Sequence, residues 1–356
     1  MKKKTEILVM TLVIFAIVFP IADAINVKNM KYNIRTTLYN NNILYVGGLG
    51  TGNYSSIQDA VDNASDSDTI FVYDESSPYY ETIKISWKSI NLIGENKNTT
   101  IIDGMNESNV IYVNSDNIRI SGFTIRNSSK TGTNYRAGIF VYVNSDYVNI
   151  VGNKLCNNYY GILFYYSGPH NEYSKTETYR LTDCIISGNN ISNNYIGMYL
   201  RYSDDNEIYN NTISNNNLGV WLLNSYNNKI YLNNFINNKE NAYDDCNNLW
   251  YNTLLLRGNY WYNYNGPDDL PPIGIGDTPY RFPEGGVDRF PLMNPYQGEP
   301  TNKNKIKKAP DLDQVSNFIA QLFYRIKSFQ KLELETPAIL KYFLKNFINR
   351  SRCMLI

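Results

Sequence analysis

The residues able to do chemistry are few, and their spacing limits what they can do. Carboxylates sit side by side at Asp204/Asp205 and Asp244/Asp245. Glycoside hydrolysis needs two carboxyl groups facing one sugar, about 5–5.5 Å or about 6.5–9.5 Å apart. Sequence neighbours on a strand point to opposite faces, so each pair gives one groove at most one carboxylate unless it lies in a turn. Lyase chemistry abstracts a proton with a basic residue beside further positive charge or metal, and Arg201 reads as the only basic residue on the central strand faces, without a partner. The one histidine, His170, lies in a polar stretch without a partner and reads as solvated rather than as a general base. Four cysteines, Cys156, Cys184, Cys246 and Cys353, show no C-x-x-C spacing, so a thiolate metal cage is excluded.

The elements that would position such residues emerge from a repeat. Aligned on glycine, the middle of the chain gives Gly138, Gly161, Gly197, Gly219 and then Asn241, at steps of 23, 36, 22 and 22. This is a solenoid period. Within a copy, apolar residues alternate over short runs, as in Val220/Leu222, Ile230 and Phe235, which is the period of half-buried strands. Such short strands become stable only when successive coils stack, about 4.8 Å apart, and pair in parallel with the coil above and below. The pattern therefore predicts an all-β, single-stranded parallel β-helix.

Asparagines keep the same register. Asn153, Asn189, Asn211 and Asn233 precede the inward Leu155, Ile191, Ile213 and Phe235 by two residues, and Asn158, Asn194, Asn216 and Asn238 follow them by three. Stacked amides at a bend can bond along the axis, and asparagine tolerates left-handed turns, so both sets are expected to form structural ladders. Asp116, Asp146 and Asp204 align in a turn column and read as solvated corners. Cys184 falls in an inward slot shared with Val148, Asn206 and Asn228, whereas Cys156 points outward, which argues against a 156–184 disulfide.

The outward slot of the longest strand in each copy holds Phe140, Leu163, Tyr199, Trp221 and Tyr243. Stacked by coil, these are expected to form one exposed stripe. Phe140, Tyr199, Trp221 and Tyr243 are candidate carbohydrate contacts, since ring faces stack on sugars and the rise per coil is close to a sugar repeat. The competing reading is that neighbouring rings cover one another, or that the insertion spanning 168–180 covers them.

The ends carry other signals. Lys2-Lys3-Lys4, an apolar run from Ile7 to Ile21 and Ala22-Asp23-Ala24 form a signal peptide over 1–24, so the chain is expected to be secreted or at the cell surface, with the periplasm second. The N-x-S/T sequons at Asn53, Asn63, Asn98, Asn106, Asn127, Asn190 and Asn210 are then glycosylation candidates. A lead-in spans 25–44, and the β-helix 45–266 opens with a capping helix at about 55–63, where Ile57, Ala60 and Val61 share one face. A C-terminal cap covers 267–297, followed by a basic linker, 298–310, and an amphipathic helical tail, 311–356. The whole chain balances 33 Lys+Arg against 33 Asp+Glu, which excludes a nucleic-acid polycation, yet residues 301–356 alone carry eleven basic against four acidic groups. That tail suits a membrane surface, a sorting apparatus or packing on the solenoid.

Tyr54-Ser55-Ser56-Ile57-Gln58-Asp59-Ala60-Val61, Ile90-Asn91-Leu92-Ile93-Gly94, Ile118-Arg119-Ile120-Ser121-Gly122-Phe123-Thr124-Ile125 and Gly258-Asn259-Tyr260-Trp261 give the chain its family likeness. Over residues 45–296 it resembles the NosD-like, pectin-lyase-like right-handed β-helix proteins common on archaeal surfaces. The resemblance implies a right-handed coil. It also implies a calcium loop at Asp268, Asp269 and Asp277, although Pro271-Pro272-Ile273 replaces the acidic positions expected there, and a plain cap loop is the competing reading. The family's namesake assists copper loading of nitrous oxide reductase, a role for which one histidine is a poor ligand set. The polygalacturonase-type signatures of the fold are almost wholly missing. The expected function is structural and binding, with a glycan or envelope component as partner and calcium as the one candidate cofactor. A polysaccharide hydrolase or lyase is the alternative, and copper-enzyme maturation the second.

Overall fold

The computed structural model describes residues 42–131, 136–143, 145–165, 180–269, 274–282 and 285–298. The expected signal peptide, basic linker, helical tail and nearly all of the insertion with His170 lie outside these residues.

The described chain winds into a right-handed parallel β-helix with three faces. The first face holds eight strands, from Ile43–Val46 through Thr69–Val72 and Asn91–Gly94 to Lys229–Tyr231. The second also holds eight, from Tyr79–Tyr80 to Tyr260–Trp261. The third holds seven, from Ile83–Ser86 through Ala137–Tyr142, Tyr160–Tyr165, Ile196–Arg201 and Leu218–Leu223 to Glu240–Asp244. The first face begins at Ile43, ahead of the start expected from the repeat, because Ile43–Val46 pairs in parallel with Thr69–Val72.

Register follows the glycine alignment: Met198 pairs with Val220, Tyr199 with Trp221 and Ile191 with Ile213. Inward residues of all three faces, such as Ile208, Ile213, Val220, Leu222 and Phe235, are fully buried in one core. Each corner is turned by a residue with positive φ. Gly152, Gly188, Asn210 and Leu232, at φ 68, 66, 56 and 55, stand immediately before Asn153, Asn189, Asn211 and Asn233. The left-handed residue reverses the chain, and the next side chain then points into the prism.

Those side chains form files along the axis. Asn153 Nδ2 donates to Asn189 Oδ1 at 3.3 Å, Asn189 to Asn211 at 3.0 Å, Asn211 to Asn233 at 2.9 Å and Asn233 to Asn259 at 2.9 Å. In a second file, Asn158 N–H donates to Asn194 Oδ1 at 3.0 Å, Asn194 Nδ2 to Asn216 at 3.2 Å and Asn216 Nδ2 to Asn238 at 3.0 Å. A third file continues where Cys184 sits. Val148 N–H donates to Cys184 Sγ at 3.3 Å, Cys184 N–H to Asn206 Oδ1 at 2.9 Å, Asn206 Nδ2 to Asn228 at 3.0 Å and Asn228 Nδ2 to Asn248 at 3.0 Å. Each amide answers backbone groups that the corner would otherwise bury unpaired. Cys156 and Cys184 are both free thiols.

Residues Ile57–Asn63 form the capping helix, with Ile57, Ala60 and Val61 buried over the N-terminal opening. Both helix ends are held from one stretch of chain. Glu81 accepts the N–H groups of Ile57 and Gln58 at 2.9 Å each, where the helix dipole favours a carboxylate. Lys88 Nζ donates to the carbonyls of Val61, Asp62 and Ala64 at 2.8, 3.1 and 2.9 Å. Lys88→Met is therefore expected to cost about 1.5–3 kcal/mol. It should speed amide exchange in residues 57–63 while leaving the central coils protected, and unchanged exchange in the helix would refute the clamp.

Candidate functional site

The outward face of the third sheet carries the predicted stripe. Tyr199 stacks on Trp221 at 4.6 Å and 23°, and Trp221 meets Tyr243 edge-on at 5.7 Å. The expected exposure of the whole stripe is corrected by the structure. Leu163 is fully buried, Phe140 is 4% exposed and Tyr199 8%, all packed in an outer cluster with Ala137, Tyr165 and Ile196. Burial pushes the Tyr199 hydroxyl up to about 12. Only Trp221 and Tyr243 keep partial exposure. The reason is crowding: bulky outward neighbours such as Tyr112, Tyr142 and Tyr160 fill the grooves between the ring columns.

The stripe ends at a cleft. After Trp261 the chain turns, with Tyr264 N–H donating to Trp261 C=O at 2.9 Å, and among the described residues no eighth strand is added to the third sheet. Beneath Glu240–Asp244 this leaves a cleft of about 520 Å³ lined by residues 237–243 and by Tyr262, Asn263, Tyr280 and Phe282. Its wall is fixed by a hydrogen-bonded triangle. Asn241 Nδ2 donates to Asn263 Oδ1 at 3.0 Å and to Tyr280 Oη at 3.1 Å, and Tyr280 Oη donates to Asn263 Oδ1 at 3.0 Å. Tyr280 in turn stacks on the buried Trp261 at 4.4 Å and 16°. Tyr262 stands at the rim, 62% exposed. Sequence reasoning missed Tyr262, Asn263 and Tyr280, because the coil step changes from 22 to 26 residues where Tyr260 pairs with Asn234, and Tyr280 lies in the cap.

The acidic pairs do not converge on this cleft. Asp204 is bridged to Arg180 at 2.7 Å and accepts Tyr226 N–H at 2.7 Å, and burial raises its pKa. Asp205 is exposed at a left-handed corner, φ 55. Asp244 is buried, which also raises its pKa, and it accepts Asn248 Nδ2 and Trp250 Nε1 at 2.7 Å each. Asp245 accepts Asn224 N–H at 3.0 Å. Among the described residues Glu240 is the one carboxylate lining the cleft. Arg201 donates to Tyr165 Oη at 2.7 Å and lies over the rings of Tyr165 and Tyr202, a packed cation rather than a catalytic one. Its Nε and the Trp221 indole N–H are buried without partners among the described residues.

The carboxylates of the calcium expectation lie in the cap loop. Asp268 Oδ2 accepts Gly274 N–H at 2.9 Å and Asp277 Oδ2 accepts Asp269 N–H at 2.8 Å, so two of the three carboxylates brace the cap loop. Among the described residues no group of three His, Cys, Asp or Glu side chains could hold a metal ion. The sulfur donors fare no better for copper: Cys184 and Met198 are buried in the core, and the Cys246 thiol bonds to Asp245 at 3.0 Å. The donor set of the described residues does not fit a copper centre.

The chain is similar in part to several solved structures. A pectin methylesterase from Aspergillus niger is 17% identical, with 62% of this chain and 76% of that chain covered and a TM-score of 0.43. Escherichia coli YbhC is 12% identical over 60% of this chain and 67% of its own, with a TM-score of 0.39. The A-module of the Azotobacter vinelandii mannuronan C-5 epimerase AlgE6 is 12% identical over 61% and 76%, with a TM-score of 0.26. At such identities no activity transfers. No curated protein sequence matches the chain. The family model described as periplasmic copper-binding protein (NosD) matches residues 61–266, more than half of the chain, and the chain therefore belongs to the NosD family.

Proposed function

We propose that this protein is an exported, non-catalytic β-helix that binds carbohydrate at the C-terminal end of its third face. The observation carrying this reading is the cleft beneath Glu240–Asp244, where the rings of Tyr243, Tyr262 and Tyr280 meet the amides of Asn237, Asn238, Asn241 and Asn263. Aromatic faces stack on the apolar face of a pyranose, and amides donate to and accept from its hydroxyls. A hydrolase would need a second carboxylate opposite Glu240. Export is supported by the basic, apolar and A-x-A segments of residues 1–24 and by the periplasmic family description. No helix among the described residues is long and apolar enough to cross a membrane.

The test is a glycan array with the purified protein, run beside Trp221→Ala, Tyr262→Ala and Tyr80→Ala. Tyr80 is also 62% exposed but lies at the opposite end. Loss of a ring contact of about 1.5 kcal/mol weakens binding about tenfold, so Trp221→Ala and Tyr262→Ala should fall by that much. Tyr80→Ala should match the parent protein. Silence of the parent protein across the array sinks the proposal.

A further inference from the structure

We infer that the cleft takes a short oligosaccharide or the terminus of a glycan chain, two to three pyranose units in all, and does not track a polymer along the prism. This rests on the carbohydrate reading above and sets its substrate class.

Two structural limits define the length. Towards the N-terminal end, the ring file closes immediately above Trp221: Tyr199 is 8% exposed, Leu163 is fully buried and Phe140 is 4% exposed. A polymer lying along the axis would need those rings open, and they are packed into the outer cluster with Tyr112, Tyr142 and Tyr160. Towards the C-terminal end, the cap stops the cleft. Asn263 lies in the coil after that of Asn241 and is tied to it and to Tyr280 by hydrogen bonds of 3.0 Å each. Behind that wall, Phe282 is 5% exposed and packs on Trp250 at 4.8 Å, so the floor is core and cannot open without unpacking the end of the helix.

The open aromatic surface thus runs from Trp221 through Tyr243 to Tyr262, two coil rises, or about 10 Å. That length, and a volume of about 520 Å³, fit a di- or trisaccharide and fall within the ordinary range of about 300–1,000 Å³ for enclosed small ligands. Among the described residues the lining carries one cation, Lys239, beside one anion, Glu240, so these side chains supply no net charge with which to draw a polyanion along the surface.

The experiment is calorimetric titration of the full chain with ladders of one to eight units of β-1,4-linked glucose, β-1,4-linked N-acetylglucosamine and α-1,4-linked galacturonate, and with each parent polymer at equal sugar mass. For any ladder that binds, affinity should rise about tenfold between one and three units and change less than about twofold from three to eight. Polymer binding should scale with the number of chain ends. Tyr112→Leu, at the far end of the ring file, should bind the three-unit and eight-unit sugars as the parent protein does. Affinity that keeps climbing beyond four units, or an eight-unit sugar weakened by Tyr112→Leu, overturns terminal recognition and leaves carbohydrate binding standing. Binding to none of the ladders removes both.

Discussion

Asn211→Leu is expected to destabilise the protein by about 3–5 kcal/mol, a large share of the roughly 5–15 kcal/mol that holds a domain folded. The side chain is fully buried at the middle of the longest amide file. Its Oδ1 accepts both the backbone N–H and the Nδ2 of Asn189 at 3.0 Å, and its Nδ2 donates to Ile186 C=O at 2.8 Å, Tyr209 C=O at 3.1 Å and Asn233 Oδ1 at 2.9 Å. Leucine nearly matches its volume and can do none of this. Asn189 N–H and Ile186 C=O would be left buried and unpaired, at about 1–3 kcal/mol each. Because coils contact only their neighbours, the damage should concentrate in the adjoining turns. Urea unfolding measures the loss, and hydrogen exchange should show protection collapsing first near residues 185–235. The neighbouring Asn210→Gly is the control. Asn210 is exposed at φ 56, a conformation glycine adopts freely, so its midpoint should stay within about 0.5 kcal/mol of the parent. An Asn211→Leu protein as stable as that control would show that the amide file is incidental.

The second large effect lies where this file stops. Asn259 N–H, Trp261 Nε1 and Phe290 N–H donate to the carboxylate of Asp288 at 2.6, 2.9 and 2.9 Å. The third file ends in the same way on Asp244, which holds Asn248 and Trp250. Each of these two ladders is thus closed by a buried aspartate that also anchors an indole of the cap. Gly258 is required beside Asp288, because a Cβ there would lie 1.8 Å from Asp288 Oδ1. Asp288→Ala should unfasten Trp261 and cost about 3–5 kcal/mol, seen as loss of the near-ultraviolet tryptophan signal.

Asp288 also sets a pH dependence. Burial pushes its carboxyl up to about 7 from an ordinary value of 3.8. The folded state therefore holds this proton more tightly than the unfolded chain does. The stabilisation is complete below the ordinary carboxylate range and is lost as pH rises through about 7. The full swing is on the order of 4 kcal/mol. Melting of the parent protein should fall between pH 4 and pH 8, while Asp288→Asn, which cannot titrate, should lack this component. Parallel pH profiles for the two proteins would exclude Asp288 as its source.

Much of this was legible in the repeat. Asn189, Asn211 and Asn233 recur every 22 residues, so their file could be read by counting. The continuation could not: Asn248 follows Asn228 by 20 residues, Asn259 follows Asn233 by 26 and Asp288 follows Asn259 by 29. The coil path changes length where the cap begins, and a fixed period no longer indicates who stands above whom. Cys184 was placed correctly as an inward residue, but its use of sulfur in place of an amide oxygen became visible only with Val148 N–H pointing at it. The stripe failed for a different reason. Alternation places Phe140, Leu163 and Tyr199 on the outer surface of a sheet, but says nothing of what fills the space beside them.

What the sequence by itself determined was parity and stacking: which residues face inward, which coils lie on which, and where left-handed corners fall. These are local properties, set by the two-residue strand period and by the residues that tolerate positive φ. The tertiary structure alone decided which outward rings remain open, and that the third face stops one strand short so that Tyr243, Tyr262 and Tyr280 surround a cleft. Exposure and concavity are set by groups dozens of residues apart in the chain that close packing brings together, and no periodicity encodes them.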